Sequence, residues 1–242
     1  VVTARDAGMD KDGLREAVWD DLEASGVARF PFPPHGRIPN FAGAGAAGER
    51  LAATDAWAAA DVVKANPDAP QLSVRRRALR EGKTVYMAVP RLASEEPFYE
   101  LDPERLDPDD YDAAATVSKV ERYADTVEVE ALGHVDLVLS GSVAVSEDGA
   151  RVGKGEGYSD LEWAVLSAAE LVDDATTVAT TVHERQVRET PPPAPHDVPM
   201  DLVCTPERVV RTDTQYARPV GVDASLLDDD RVDEIPVLQE YV

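Results

Sequence analysis

The 242-residue chain is expected to form an α/β domain with an open, mainly parallel sheet and helices on both faces. Three observations carry that expectation. Short apolar or β-branched runs read as buried strands, amphipathic segments between them read as helices, and a dense glycine turn joins one strand to one helix. In such sheets ligands bind at the carboxyl ends of the strands.

The elements follow in order. Residues 11–24 place Leu14, Val18 and Leu22 four apart with Ala17 beside them, an apolar stripe on one helix face, and Gly26 ends the helix. Residues 29–45 hold Pro31, Pro33, Pro34, Gly36, Pro39, Gly43 and Gly45 and are expected to be irregular. Their core reads GRIPNF, in which Arg37 and Asn40 are candidates for lining a ligand pocket. A second helix is expected over residues 46–65, with Leu51, Ala58 and Val62 on one side before Asn66 and Pro67 stop it. Ser73 is expected to cap a third helix running through Arg80 and ended by Gly82, with Arg75, Arg76 and Arg77 on its solvated face. Residues 84–89 read as a buried strand closed by Pro90.

Residues 95–111 carry Pro97, Pro103 and Pro108 among acidic residues and read as a surface excursion of turns and short helix. A strand at 135–140 ends at Gly141, a glycine-dense turn spans 149–157, a helix spans about 160–171 and a β-branched strand spans 176–182. A proline group (Pro191, Pro192, Pro193, Pro195) then leads to a short strand at 201–205. The sequence holds no internal repeat, so one domain over 1–242 is expected, with an acidic extension at about 218–242.

Composition narrows the function. Lys and Arg number 24 against 47 Asp and Glu, a formal net charge of −23, and 43% of residues are hydrophobic. Such a surface repels phosphate backbones, so nucleic acid is not an expected partner. The acid is spread along the chain and only five lysines occur, a pattern that suits solubility in high salt and points to a halophilic host. An anionic ligand would therefore need a local basic pocket. Cys204 is the only cysteine and the four histidines are scattered, which argues against a structural zinc. The longest apolar run falls well short of the ~20 residues of a membrane span, so no membrane partner is expected. The stretch 1–13 lacks the apolar centre of a secretory signal, so a cytoplasmic location is expected, with either Val1 or Met9 as the native start.

The densest chemical feature is Gly153-Lys154-Gly155-Glu156-Gly157-Tyr158-Ser159-Asp160, between a strand and a helix. Alternating glycines let the backbone approach an anion, the helix start offers unpaired N–H groups, and Lys154 adds a full charge. The spacing matches neither common nucleotide fingerprint, and a glycine turn serving only backbone geometry explains it equally well. Asp160 either caps the following helix or holds Mg²⁺ against phosphates. Lys11 and Arg15, one turn apart, either grip a polyphosphate or form a solvated face with Asp12 or Glu16. His196 beside Asp197 is read as a loop-ordering histidine, and the absence of GxSxG leaves a hydrolase elbow unsupported.

Taken together, KxxLR (Lys11, Leu14, Arg15), VDLVLSG, GARVGKGEGYSD, PHDVPMD and CTPE resemble the 5-formyltetrahydrofolate cyclo-ligase (methenyltetrahydrofolate synthetase) family in order and spacing. GRIPNF, NPDAPQ and GKTVYMAVPRL look closer to its divergent, synthetase-domain-containing branch. The resemblance implies a sheet similar to the sugar-phosphate isomerase and CoA-transferase-like fold. It also implies an enzyme that uses ATP and Mg²⁺ to close 5-formyltetrahydrofolate, or a related pterin, into 5,10-methenyltetrahydrofolate. By position, Lys11, Arg15, Arg151, Gly153, Gly155, Gly157 and Tyr158 would hold ATP, Asp160 would hold Mg²⁺, and Lys154 and Asp160 would carry catalysis. The chain departs from the family pattern at Lys154, Glu156, Ser159 and Leu161, and the family's folate-holding segment has no counterpart in 29–45. The alternative is a non-catalytic nucleotide-binding protein that kept the cradle and lost the folate site.

Overall fold

The computed structural model describes residues 8–241; most of the stretch inspected for a targeting signal, residues 1–7, lies outside them, as does Val242. Helix α1 (Lys11–Ala24) has the expected bounds. Asp10 caps it, its carboxylate accepting the Gly13 N–H at 2.8 Å, an arrangement worth about 1 kcal/mol. Leu14, Val18 and Leu22 are fully buried beside Trp19. The proline-rich stretch folds into a two-stranded ribbon, β1 (Ala28–Arg29) against β2 (Asn40–Phe41). Helix and ribbon close a small core with Ile38, Val143 and Val152.

Residues 46–65 do not form one helix. Helix α2 (Ala44–Ala52) stops, Thr54 Oγ1 accepts the Trp57 N–H at 3.2 Å and starts helix α3 (Asp55–Ala59), and the chain then extends as strand β3 (Val62–Ala65). Leu51, Ala58 and Val62, whose spacing suggested one helix face, thus belong to three different elements. A capping hydroxyl inside the run and the β-branched pair Val62-Val63 override the helical period.

Helix α4 (Leu72–Arg80) follows a tight turn at Ala69–Gln71. Its cap position is Gln71 rather than Ser73, whose hydroxyl has no hydrogen-bond partner among the described residues. Strand β4 (Thr84–Ala88) is paired antiparallel by β5 (Phe98–Leu101), inside the stretch expected to be a surface excursion. Phe98 and Leu101 are fully buried, and that burial draws the segment into the sheet beside β4. Helix α5 (Tyr111–Ala114) and strand β6 (Asp125–Val127) complete this half.

The second half contains β7 (Leu137–Leu139), a ribbon of β8 (Ala144–Val145) and β9 (Arg151–Val152), helix α6 (Tyr158–Ala168), β10 (Thr177–Thr181), β11 (Leu202–Cys204), β12 (Val209–Arg211) and helix α7 (Asp229–Glu234). The main sheet has eight strands in the order β12-β11-β10-β7-β3-β4-β5-β6. Five adjacent strands, β11, β10, β7, β3 and β4, are parallel; β12 pairs antiparallel with β11 on one side, and on the other β5 pairs antiparallel with β4 and β6 antiparallel with β5. Side chains alternate across it: Val63, Ala65, Leu137 and Leu139 meet α2, α3 and α4, whereas Val138, Val178 and Val203 meet Trp163, Val165 and Leu166 of α6. Helices therefore cover both faces, as expected.

The acidic C-terminal stretch is part of this packing. Trp163 Nε1 donates to the Pro219 carbonyl at 2.9 Å, and Ile235, Val237 and Leu238 are buried in the core on the α6 side. Among the described residues no helix is long and apolar enough to cross a membrane.

Candidate functional site

The chain leaves β3 in one direction, through α4 to β4, and leaves β7 in the other, through α6 to β10. Adjacent β3 and β7 therefore form the switch point of the sheet, where diverging loops open a crevice. A cavity of about 580 Å³ lies there. Asn66, Pro67 and Asp68 line it from the end of β3, Ala88 to Arg91 from the end of β4, and Gly141 from the end of β7. The nine residues to which the family resemblance gave a role, namely Lys11, Arg15, Arg151, Gly153, Lys154, Gly155, Gly157, Tyr158 and Asp160, all line this one cavity.

The glycine turn runs from β9 into α6. Gly155 and Gly157 have φ of 106° and 73°, a left-handed region costly for residues with a Cβ. Gly157 is the cap residue of α6, so Asp160 is not; it is the third residue of the helix. Its carboxylate serves instead as a strut. Oδ2 accepts from Arg151 Nη2 at 2.8 Å and Oδ1 accepts the Val198 N–H at 3.0 Å. Arg151 Nη1 also donates to the Gly141 carbonyl at 2.7 Å. This buried arginine ties the end of β7, the glycine turn and α6 together.

The cavity is not the purely basic pocket that the charge argument anticipated. Lys11 is paired with Asp197; Arg15 pairs with Asp12 and donates to the Gly153 carbonyl at 2.7 Å; and Lys154 lies 2.7 Å from Glu156. Arg91 adds a further cation on the wall, while Asp68, Glu121 and Glu162 add carboxylates. Lys11, Arg15 and Lys154 each hold an acidic partner that an entering anion would have to displace.

Beneath the cavity lies a buried polar network. Lys64, from the centre of β3, pairs with Glu162 of α6; the two are 1% and 4% exposed. Asn66 Nδ2 donates to the same carboxylate at 3.0 Å, and Asn66 Oδ1 accepts the Gly141 N–H at 3.0 Å and the Ser159 hydroxyl at 3.2 Å. Ser159, where the related motif has a second tyrosine, thus joins the glycine turn to the β3 loop. Arg75 is not on a solvated face: it is buried and donates to the carbonyls of Asn66 (2.6 Å), Pro67 (3.2 Å), Asp68 (3.0 Å) and Ala115 (3.0 Å). It fixes the loop that presents Asp68.

The Asp68 carboxylate makes no hydrogen bond to another described residue. Burial raises its pKa above the ordinary carboxylate range, against the opposing pull of Lys154 and Arg75. A cavity-facing carboxylate of this kind fits a divalent cation. Among the described residues no group of three or more acidic, histidine or cysteine side chains could hold a metal. Mg²⁺ commonly takes only one or two carboxylates, with phosphate oxygens and water completing its shell; Asp68 has oxygens left for such an ion, whereas both Asp160 oxygens are already engaged.

Sequence reasoning missed the roles of Lys64, Asn66, Asp68, Arg75 and, through its pairing with Lys64, Glu162, all of which depend on recognising β3; the NPD that follows that strand offers a helix stop and part of a family resemblance but no sign of a site. Asp197 was noted but not placed in the site. Arg37 and Asn40 are absent from the cavity lining. Arg37 Nε donates to the Pro33 carbonyl at 3.2 Å and Asn40 Nδ2 to the Phe30 carbonyl at 2.8 Å, while Ile38 of the same motif faces the cavity.

Comparison with known proteins places these features in context. Residues 10–206 match the model of the 5-formyltetrahydrofolate cyclo-ligase family. The chain is similar to the methenyltetrahydrofolate synthase domain-containing proteins of Bos taurus (38% identity over 96% of this chain) and Homo sapiens (36% over 97%). It spans 62% of the length of each of these relatives. The NMR structure of Aquifex aeolicus 5,10-methenyltetrahydrofolate synthetase superposes with a TM-score of 0.55 at 18% identity, covering 89% of this chain and 98% of that one. At that identity the likeness speaks to the fold.

Proposed function

Because the chain belongs to the 5-formyltetrahydrofolate cyclo-ligase family, we propose that it catalyses the ATP- and Mg²⁺-dependent closure of 5-formyltetrahydrofolate to 5,10-methenyltetrahydrofolate, with release of ADP and phosphate. The observation that supports this reading is the convergence of Lys11, Arg15, Lys154, the glycine turn and two cavity carboxylates on one crevice at the sheet switch point. A volume of about 580 Å³ lies within the usual range of small-molecule sites.

In this reading Lys11, Arg15 and Lys154 exchange their carboxylate partners for phosphate oxygens, and the backbone at Gly153, Gly155 and Gly157 approaches the same oxygens, with Tyr158 lining the pocket. Asp160, held by Arg151 and the Val198 N–H, and Asp68 are the residues that would hold Mg²⁺. When bound, the ion supplies neutralisation of charge on the transferring phosphoryl group. The chemistry asks little covalent help of the protein. The formyl oxygen takes the phosphoryl group and becomes a leaving group, N10 attacks the activated carbon, and phosphate departs. The protein contributes orientation and charge placement.

The test mixes the protein with Mg-ATP and 5-formyltetrahydrofolate in high-potassium buffer and follows the near-ultraviolet absorbance of the methenyl product. Growth of the band only when ATP is present is expected. A flat trace from protein that ATP still stabilises against heat overturns the reading in favour of a nucleotide-binding protein without the folate reaction.

A further inference from the structure

Two arginines from distant parts of the chain grip the glycine turn. Arg15 of α1 donates through Nε to the Gly153 carbonyl at 2.7 Å, and Arg231 of α7 donates through Nη2 to the Glu156 carbonyl at 2.6 Å. The Arg231 guanidinium also lies 4.2 Å from the centroid of the Tyr158 ring, within the range of cation–π attraction. Arg15 lines the first cavity, whereas Arg231 lines a neighbouring one of about 430 Å³ that shares Glu156, Gly157 and Asp160 with it. Arg231 thus holds the turn from outside the cavity assigned to the phosphates.

Local sequence gives no reason for that reach. Asp228 and Glu234 stand three residues to either side of Arg231, the spacing at which an arginine on a helix ordinarily finds its acidic partner. The guanidinium is directed to the glycine turn instead, and the C-terminal segment is fixed on both sides of it. Before it, Arg218 donates to Asp201 Oδ2 at 2.5 Å and sits 5.4 Å from the Trp163 ring, and the Gly221 N–H donates to Ser167 Oγ at 3.1 Å. After it, Ile235, Val237 and Leu238 are buried in the core. The whole of this segment lies beyond residue 206, where the family match ends.

The Glu156–Gly157 peptide is trans, so its carbonyl and its N–H point in opposite directions. Gly155 and Gly157, both at positive φ, leave this plane free to turn unless something holds it. Arg231 holds the carbonyl, and the Gly157 N–H is thereby kept pointing away from Arg231. We propose that Arg231 is a positioning residue for phosphate binding: without touching the phosphates, it keeps the glycine turn and Tyr158 in the arrangement that receives them. The inference rests on the reading of the first cavity as a phosphate site. A turn that is not held beforehand must be ordered on binding, which weakens affinity.

Calorimetric titration of the full chain with Mg-tripolyphosphate, a probe that carries phosphates alone, tests this beside a melting curve for each variant. Arg231→Ala is expected to weaken the probe about tenfold while the melting temperature moves by less than about 4 °C. Arg231→Lys is expected to recover only part of the affinity, because it keeps the charge but not the planar fork that reaches the carbonyl and stacks on the ring. Should Arg231→Ala fail to fold, Arg231→Gln, shorter and uncharged, is expected to show the same loss. Unchanged affinity in the alanine or glutamine variant overturns the positioning role. Full recovery by lysine also overturns it, in favour of plain charge attraction, and so does an affinity loss that comes only with a much larger fall in melting temperature, in favour of a purely structural tie. Should wild type itself bind no tripolyphosphate, the phosphate reading fails and this inference falls with it; a wild type that binds and an alanine variant that matches it refute the role of Arg231 alone.

Discussion

Lys64 of the central strand and Glu162 of α6 form a buried ion pair between sheet and helix, with Glu162 at the cavity lining. Removing one partner strands the other charge in a dry environment. Glu162→Gln is expected to lower stability by about 3–5 kcal/mol, read as a shift in the urea midpoint. The double variant Lys64→Met with Glu162→Leu is expected to recover most of that loss. It also removes the acceptor of Asn66 Nδ2, so the recovered protein is expected to bind ATP more weakly than wild type.

Arg75 satisfies four backbone carbonyls from inside the protein, and burial lowers its pKa to about 10. It remains charged at neutral pH and is the tie that shapes the Asp68 loop. Arg75→Met is expected to cost about 3 kcal/mol or more, because buried carbonyls lose donors. Arg75→Lys is expected to restore little of this, since an ammonium cannot reproduce the planar fork. Chemical denaturation of both variants checks the order.

Asp160 and Lys154 are expected to be separable by stability. Lys154 is a partly exposed residue paired with Glu156, so Lys154→Ala is expected to change stability by less than about 1 kcal/mol while reducing turnover by roughly a hundredfold or more. Asp160→Ala would leave Arg151 without its carboxylate and the Val198 N–H without an acceptor. Asp160→Asn keeps a neutral acceptor for the latter and is the cleaner probe. It is expected to lose turnover comparably at a smaller cost in melting temperature.

Burial raises the Asp68 pKa, so the folded protein holds that proton more tightly than the unfolded chain does. Stability from this group is fully present below the unfolded carboxylate pKa and is lost as pH rises through the folded one. Asp68→Asn is therefore expected to melt higher than wild type at pH 7 to 8, with the difference vanishing on acidification, and to lose activity. Melting curves across pH check the sign. A lower melting temperature for the variant at neutral pH would contradict it.

With a net charge of −23, the folded chain repels itself at low ionic strength. The halophilic reading of its composition predicts that melting temperature climbs with potassium chloride well past the range in which screening of exposed charges saturates. A melting temperature flat above about 0.15 M salt would remove that reading.

What the sequence disclosed followed from where local signals agreed with tertiary demands. Helix α1 was legible because the Leu14-Val18-Leu22 stripe and Gly26 point to the same bounds. The glycine turn was legible because backbone freedom has a compositional signature. Strand β3 was not, since its four residues, three of them buried, carry no alternation and continue the apparent period of α2. That one misreading concealed the cavity floor, because Lys64, Asn66, Asp68 and the purpose of Arg75 all depend on β3. Charge likewise misled: three consecutive arginines look solvated until the fold supplies carbonyls for the first of them.

The pairing of β3 with β7 sets Val63 beside Leu137 and Ala65 beside Leu139, joining parts of the chain far apart in sequence. The Gly141 N–H meets the Asn66 side chain across that same seam. Neither half of the polypeptide thus owns the crevice. A fragment holding the glycine turn would carry the recognisable motif without a floor, and one holding β3 and β4 would carry a floor without a cradle. The site comes into being only when the two halves meet, so it cannot be inherited, transplanted or designed as a local cassette.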